Sequence, residues 1–248
     1  DRFPDVGSDK CVTPTPYIWP DFLKVSNLKG VANRTAIYAI IAIGMTLVII
    51  TAGIDLSVGS LIAFSGVVAA WMIRAMAGAE TPTTLEMLAG SLVGIILGGI
   101  FGFFSGAMVT LFRIPAFIVT LGVMFMARGL GFIIAESEPI VVQNDGFGWL
   151  GQGHDLQNQT LETALLGIPN SVALMAVLFI LAHILMNRTS LGRHIYAVGG
   201  NPEAARLSGV PVRGVLLFVY ALSGLLAGLG GIMEASLHNT GDPKAGTL

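Results

Sequence analysis

Long apolar stretches, separated by short polar segments, dominate the pattern of this chain. Six of them approach or exceed the ~20 residues that an α-helix needs to cross the hydrocarbon core of a bilayer. They lie at 35–52, 56–77, 87–111, 115–135, 170–187 and 213–233. Apolar and polar residues do not alternate within them, as they would in the strands of a membrane β-barrel. Because backbone groups in lipid must satisfy one another, the pattern predicts an all-α fold, a polytopic transmembrane helical bundle with about six spans.

The composition supports this prediction. Hydrophobic residues make up 54% of the 248 residues and charged residues 11%, whereas a soluble domain has about 25% charged residues. The net charge of −2 provides no basic excess of the kind that nucleic-acid binding needs. The single cysteine, Cys11, excludes an internal disulfide framework. We therefore expect a multi-pass protein that has the lipid bilayer, and no nucleic acid, as its partner.

The third apolar stretch carries a glycine at every fourth position. These glycines are Gly94, Gly98, Gly102 and Gly106. Such a spacing places all four on one helix face, and small residues there let two membrane helices approach closely. We expect this face to pack tightly against another span.

The distribution of charge predicts the orientation in the membrane. The segment 188–213 holds four arginines and one acid, whereas 136–169 holds five acids and no lysine or arginine. Loops rich in lysine and arginine stay in the cytoplasm. We therefore predict a cytoplasmic loop at 188–213 and a periplasmic loop at 136–169, both within a transmembrane domain at 35–248. Six crossings then place a polar N-terminal segment, 1–34, outside as well, although its five basic residues favour the inside.

The turn between the first two spans reads TAGIDLSVGS and contains a carboxylate, Asp55, flanked by apolar runs. A charge in this setting is costly, so we expect Asp55 at a membrane surface or in a wet, protein-lined cavity. Gly53 and Gly59 are expected to permit a sharp reversal of the chain. Two interpretations of the polar residues remain open. Either Ser57 caps the second span with Asp55 at its positive end, or Asp55, Ser57 and Ser60 line the transport path or its gate.

A second polar motif lies in the basic loop. Asn201 is a favourable N-cap, Pro202 suits the first helical position, and Glu203 suits the first turn. Gly209 then ends the helix. The spacing predicts a helix of about two turns. This helix is either a well-capped connector or a surface that docks into a groove on a soluble partner and carries force.

Three motifs carry a resemblance to a known family. The spacing Glu203-Ala204-Ala205-x-x-x-Gly209 resembles the EAA loop of ABC importer permeases. The longer run around it, LGRHIYAVGGNPEAARLSGV, is very similar to the corresponding loop of ribose, xylose and galactose permeases. GMTLVIITAGIDLSVGS and GLLAGLGGIMEAS also resemble this monosaccharide family, and the similarity covers most of 21–248. The EAA consensus continues to an Ile-x-Leu-Pro that is not found at 219–222.

The resemblance implies a permease subunit of the bacterial inner (plasma) membrane that translocates a monosaccharide. The implied partners are an ABC ATPase subunit, a periplasmic sugar-binding protein and a second permease subunit, in a homodimer or a heterodimer. The loop 136–169, with Phe147 and Trp149, would face the binding protein. The family usually has one helix before this chain begins and further helices after Leu248, so we expect an incomplete chain.

The resemblance also assigns residues to contact with the ATPase. They belong to the basic loop and comprise Gly192, Arg193, Asn201, Pro202, Glu203, Ala204, Ala205 and Gly209.

Motifs for other chemistries do not occur in the sequence. It holds no Walker lysine motif, no nucleotide-binding glycine fingerprint and no HExxH. We expect no catalytic residue, no metal site and no cofactor in this chain, and ATP hydrolysis by a separate one. The alternative is a stand-alone secondary transporter or channel for a small polar solute, which predicts inverted repeats or intramembrane carboxylates. An intramembrane enzyme would need a paired nucleophile and base at membrane depth, and we find none.

Overall fold

A computed structural model of the chain describes residues 25–78, 80–142, 145–149, 151 and 169–246. Within this part, nearly all of the regular structure is helical. The elements in chain order are α1 Val25–Ile50, α2 Val58–Ala77, α3 Thr84–Leu111, α4 Ala116–Ile134, β1 Ile140–Val141, a 3₁₀ helix Asp145–Trp149, α5 Asn170–Arg188, α6 Ser190–Gly200, α7 Pro202–Leu207, α8 Val212–His238 and β2 Thr240–Gly241. The strands β1 and β2 form one antiparallel pair.

Six helices of the described part are long and apolar enough to cross a membrane, judged by length and composition. They are α1, α2, α3, α4, α5 and α8. The predicted all-α polytopic bundle is confirmed, but two spans are longer than predicted. α1 begins at Val25, well before the predicted 35, and α8 continues to His238. Hydropathy marks only the apolar part of a span, whereas the hydrogen-bonded helix continues into its polar flanks.

α3 and α8 pack against each other through glycines at the centre of the bundle. All four glycines of the predicted face of α3 are buried. A Cβ added at Gly98 would lie 2.7 Å from the carbonyl oxygen of Gly224, and one added at Gly102 would collide with the carbonyl oxygen of Tyr220. The two backbones are therefore in direct contact, which is the arrangement that small residues permit between membrane helices. The predicted tight packing of this face is confirmed.

The elements outside the spans lie at opposite ends of α8. α6 and α7 precede it directly, whereas β2 follows it. With 27 residues and a rise of 1.5 Å per residue, α8 separates the two ends by about 40 Å. At the β2 end, Phe147 is buried in an apolar cluster with Ile140 and Ala235. Phe147 therefore does not present its ring to a partner, because the ring packs in this cluster. That the loop 136–169 faces a binding protein stays a prediction.

Apolar side chains cover the outside of the bundle. α4 and α5 carry most of their large hydrophobic residues on exposed faces, among them Phe125 and Ile133 on α4 and Phe179 and Leu181 on α5. Lipid tails are as apolar as these side chains, so exposure of this kind is expected of membrane spans. By contrast, α2 is buried along most of its length.

Candidate coupling and gate sites

α7 is a short helix held by a cap at each end. The Asn201 side-chain oxygen accepts hydrogen bonds from the backbone N–H groups of Glu203 and Ala204, each at 3.0 Å. At the other end Gly209 adopts a φ of 84°, and its N–H donates to the carbonyl oxygen of Arg206 at 3.0 Å. The prediction of a helix bounded by Asn201 and Gly209 is confirmed. Two caps on so short a helix fix its shape without help from a partner.

The surface of α7 is open to a partner. Of the residues from Asn201 to Gly209, only Ala205 is buried. Glu203 and Arg206 form an exposed ion pair at 2.6 Å, and this arginine lowers the pKa of Glu203 below its usual range. Leu207 is 78% exposed. α7 therefore presents both an apolar side chain and charged side chains to the outside.

α6 connects this surface to the membrane spans, and it was not predicted as a helix from the sequence. Thr189 caps it by accepting a hydrogen bond from the N–H of Gly192 at 3.1 Å. A Cβ at Gly192 would lie 2.5 Å from the carbonyl oxygen of Leu185. Gly192 is therefore buried in the α5–α6 turn, whereas Arg193 is exposed. Of the predicted coupling residues, Gly192 and Ala205 anchor the segment and the others lie on its surface.

A group of apolar residues, here termed the α7 cluster, joins α7 to the spans. Its buried members come from the end of α1, from α6 and α7, and from the start of α8. They are Leu47, Val48, Ile195, Val198, Ala205, Val215, Val219 and Tyr220. A Cβ at Gly199 would collide with the carbonyl oxygen of Ile50, so α6 rests directly on the last residue of α1. This closely packed core joins α7 to the ends of α1 and α8.

Asp55 lies just beyond this cluster and is buried, at 4% exposed. Its Oδ1 accepts hydrogen bonds from the backbone N–H of Ser57 at 3.0 Å and from the Ser57 hydroxyl at 2.6 Å. Its Oδ2 accepts one from the hydroxyl of Ser223, at 3.2 Å. No described lysine or arginine forms an ion pair with it. Three donors thus stabilise a carboxylate that is withdrawn from water.

The depth of Asp55 follows from its bond to Ser223. Ser223 comes eleven residues after Val212, the first residue of α8, which places it ~16 Å along the helix. The carboxylate of Asp55 is thus enclosed by protein side chains. The expectation that it lies at a membrane surface or in a wet cavity stays a prediction. The N–H bond from Ser57 does place it at the N-terminus of α2, where the helix dipole favours a negative charge.

Two local predictions about this turn need correction. Ser57 occupies the N-cap position of α2, but its hydroxyl donates to Asp55 and accepts no helix N–H. The left-handed residue of the turn is Ala52, with a φ of 58°, and not Gly53. Gly53 is needed for a different reason, since a Cβ there would lie 2.6 Å from the hydroxyl oxygen of Tyr220. Ser60 is satisfied locally, because its hydroxyl donates to the carbonyl oxygen of Ser57 at 2.7 Å.

Ser223 and Tyr220 belong to this site and were missed from sequence. The only signal is a serine and a tyrosine in an otherwise apolar span, which is weak, because Ser and Tyr are common in membrane helices. The predicted periplasmic loop 136–169 is described only in part, because 143–144, 150 and 152–168 lie outside the described residues.

The family of the chain follows from comparison with known proteins. A family model described as the permease component of the branched-chain amino acid transport system matches residues 27–248. The chain belongs to this permease family. No solved structure gives a significant match.

Curated relatives of this permease are named for sugars. The chain is 39% identical to the ribose import permease of Escherichia coli K12 over 232 residues, which is 92% of this chain and 67% of the relative. It is 36% identical to the L-arabinose ABC transporter permease of Azospirillum brasilense over 225 residues, 91% of this chain and 61% of the relative. For the galactose/methyl galactoside import permease of Escherichia coli K12, the identity is 34% over 223 residues, 87% of this chain and 65% of the relative.

These relatives confirm the resemblance to monosaccharide ABC importer permeases that was based on the three sequence motifs. The permease is accordingly a multi-pass membrane protein and a transport component. The chain spans about two thirds of the length of these relatives.

Proposed function

We propose that this permease is the membrane-spanning subunit of an ATP-driven importer and that its solute is a monosaccharide. The observation that carries the proposal is the form of α7, a doubly capped and exposed helix that is joined to two spans through the α7 cluster. A contact that transmits force needs an exposed surface and a packed link to the spans, and α7 has both.

The substrate class is inferred from the relatives. The relatives described above are named for ribose, L-arabinose or galactose, whereas the family model is named for branched-chain amino acids. Because the chain is 34–39% identical to these sugar permeases over most of its length, a sugar is favoured over an amino acid as the substrate.

The proposed partners follow from this role. A separate ATPase chain contacts α7 from the cytoplasm of a bacterial cell, a sugar-binding protein docks at the opposite end of the bundle, and a second permease subunit completes the path. ATP binding moves the ATPase surface, and α7 moves with it as a rigid body. Because Gly199 rests on Ile50, the movement reaches α1 directly and shifts it against α8. Such sliding of packed helices opens one side of a transport path as it closes the other.

Uptake into proteoliposomes tests the proposal. The complete transporter, with its ATPase and binding protein, is offered labelled ribose, arabinose, galactose and leucine, with ATP or with a non-hydrolysable analogue. We expect uptake of at least one sugar that requires both ATP and the binding protein. Uptake of leucine alone would overturn the substrate class. Sugar uptake without the ATPase would establish the stand-alone transporter instead.

A further inference from the structure

The hydroxyl group of Tyr220 is buried without a hydrogen-bond partner. Tyr220 is 1% exposed, and its hydroxyl forms no hydrogen bond with any described residue. A buried hydroxyl of this kind costs free energy, because water satisfied it in the unfolded chain. Its retention needs an explanation.

The surroundings of this hydroxyl point to Asp55. The Tyr220 oxygen lies over Gly53, in the turn that carries Asp55, and the absence of a Cβ at Gly53 makes room for it. Gly53 and Asp55 are only two residues apart in this turn. In the described conformation, however, the carboxylate is occupied by Ser57 and Ser223.

Ser223 and Tyr220 lie three residues apart on α8 and therefore share a helix face. The axial distance between them is ~4.5 Å, which is less than one turn. If the turn that carries Asp55 slides along α8 towards Val212, its carboxylate leaves the hydroxyl of Ser223 and meets that of Tyr220. A displacement of one turn or less between packed helices is an established form of two-state motion.

The position of Tyr220 links this exchange to the coupling helix. Its ring belongs to the α7 cluster, while its hydroxyl faces the turn between α1 and α2. The end of α1 that leads into this turn is the point on which α6 rests, at Gly199. A movement of α6 and α7 therefore acts on the turn that holds Asp55.

We propose that Asp55, Ser223 and Tyr220 form a two-position latch, in which Asp55 is held by Ser223 in one transport state and by Tyr220 in the other. Tyr220 is then a positioning residue that stabilises the second state and does not contact the sugar. The site has no space for a solute in this conformation, because Asp55, Ser57, Ser223 and Tyr220 are all less than 5% exposed. The latch rests on the proposed function, since it assigns the part of the bundle that responds to α7.

The central test is the variant Tyr220→Phe, which removes only the hydroxyl oxygen. A hydrogen bond to a charged group that forms in one state alone shifts the balance between states about tenfold. We expect ATP-driven sugar uptake to fall about tenfold while the melting temperature stays equal or rises. The matched control is Ser65→Ala, because the Ser65 hydroxyl is also buried without a partner in the described part of the chain. It should leave uptake unchanged.

Ser223 is the partner of Asp55 in the first state, so its removal should shift the balance between the two states in the opposite direction. Ser223→Ala weakens the first state, so we expect the transporter to hydrolyse ATP faster in the absence of sugar-loaded binding protein. Unchanged uptake in Tyr220→Phe would overturn the latch, as would a lowered melting temperature that accompanies the loss of uptake. If the wild type transports and these variants do not differ from it, the latch fails and the proposed function stands.

Amide hydrogen exchange tests the latch without transport, and so still decides it if the proposed function fails. In Ser223→Ala the carboxylate is recaptured by Tyr220, so the amide of Ser57 should remain protected. In the double variant Ser223→Ala/Tyr220→Phe neither partner remains, and we expect this amide to exchange about tenfold faster than in Ser223→Ala. Equal exchange in the two proteins would show that Tyr220 has no access to Asp55.

Discussion

Individual residues of this permease are fixed by two different demands on the backbone. Gly209 is required because its backbone is left-handed. Crowding is not the reason, because a Cβ there would meet no atom within 4 Å. Gly53 and Gly199 are required because another group approaches too closely for a Cβ. The first demand follows from local sequence, where a glycine follows a capped helix. The second depends on partners far along the chain and could not be predicted from sequence.

Asp55 illustrates the same limit. The sequence marks it as a carboxylate among apolar residues, and its place at the start of α2 follows from neighbouring residues. Its partner Ser223 is 168 positions away. Which polar residue of an apolar span meets the carboxylate depends on the register between helices, and hydropathy does not specify register.

Replacement of Gly209 by alanine should weaken coupling. An L-residue in the left-handed conformation costs ~1–2 kcal/mol, which will loosen the end of α7. We expect ATP-driven sugar uptake to fall several-fold in Gly209→Ala. In Gly209→Asn the loss of uptake should be smaller, because asparagine tolerates the left-handed conformation better. The control is Gly200→Ala, since Gly200 lies in α6, has an ordinary φ and has open space for a Cβ. A loss of uptake as large in Gly200→Ala would contradict this account of Gly209.

At the scale of helices, the sequence predicts which face is buried but not what covers it. The four-residue glycine spacing on α3 correctly identified a packing face, and the structure shows α8 as its partner. α6 was missed as a helix because it contains three glycines, Gly192, Gly199 and Gly200, which disfavour a helix on propensity alone. Packing in the α7 cluster and the Thr189 cap offset this disadvantage.

The α3–α8 contact should be sensitive to a single methyl group. A Cβ at Gly102 would collide with the backbone of α8, so Gly102→Ala must separate the two helices. Overpacking of this kind costs ~1–3 kcal/mol, and we expect a clearly lowered melting temperature in detergent. Gly122→Ala is the matched control, because Gly122 lies within α4 with no atom near its missing Cβ. Equal melting temperatures for the two variants would contradict the packing described here.

At the scale of the whole molecule, the order and number of the apolar helices in the described part of the chain were predictable. The reason is that the length of each apolar stretch is set by the thickness of a bilayer. The orientation remains a prediction from the distribution of arginines and acids. The structure adds that α6 and α7 lie about one membrane thickness from the two strands, at the other end of α8. The coupling proposal requires the α7 end to be cytoplasmic.

Cysteine labelling tests this orientation. In a Cys11→Ser background, Leu207→Cys and Glu138→Cys each place one thiol at an exposed position, the first on α7 and the second at the opposite end. A membrane-impermeant maleimide applied to intact cells should label the thiol at 138 and leave the thiol at 207 unlabelled until the cells are opened. The reverse pattern would place α7 outside the cell, beyond the reach of any ATPase.

The central claim is that α7 receives movement from a separate ATPase, and Leu207 provides its most direct test. Because this side chain is 78% exposed, Leu207→Asp should leave the fold and the melting temperature intact while it disrupts an apolar contact with the partner. The measurement is ATP-driven sugar uptake in proteoliposomes, with Leu207→Met as the control that keeps an apolar side chain at this position. The account predicts at least a tenfold loss of ATP-driven uptake for Leu207→Asp. Uptake at the wild-type rate in that variant would contradict it.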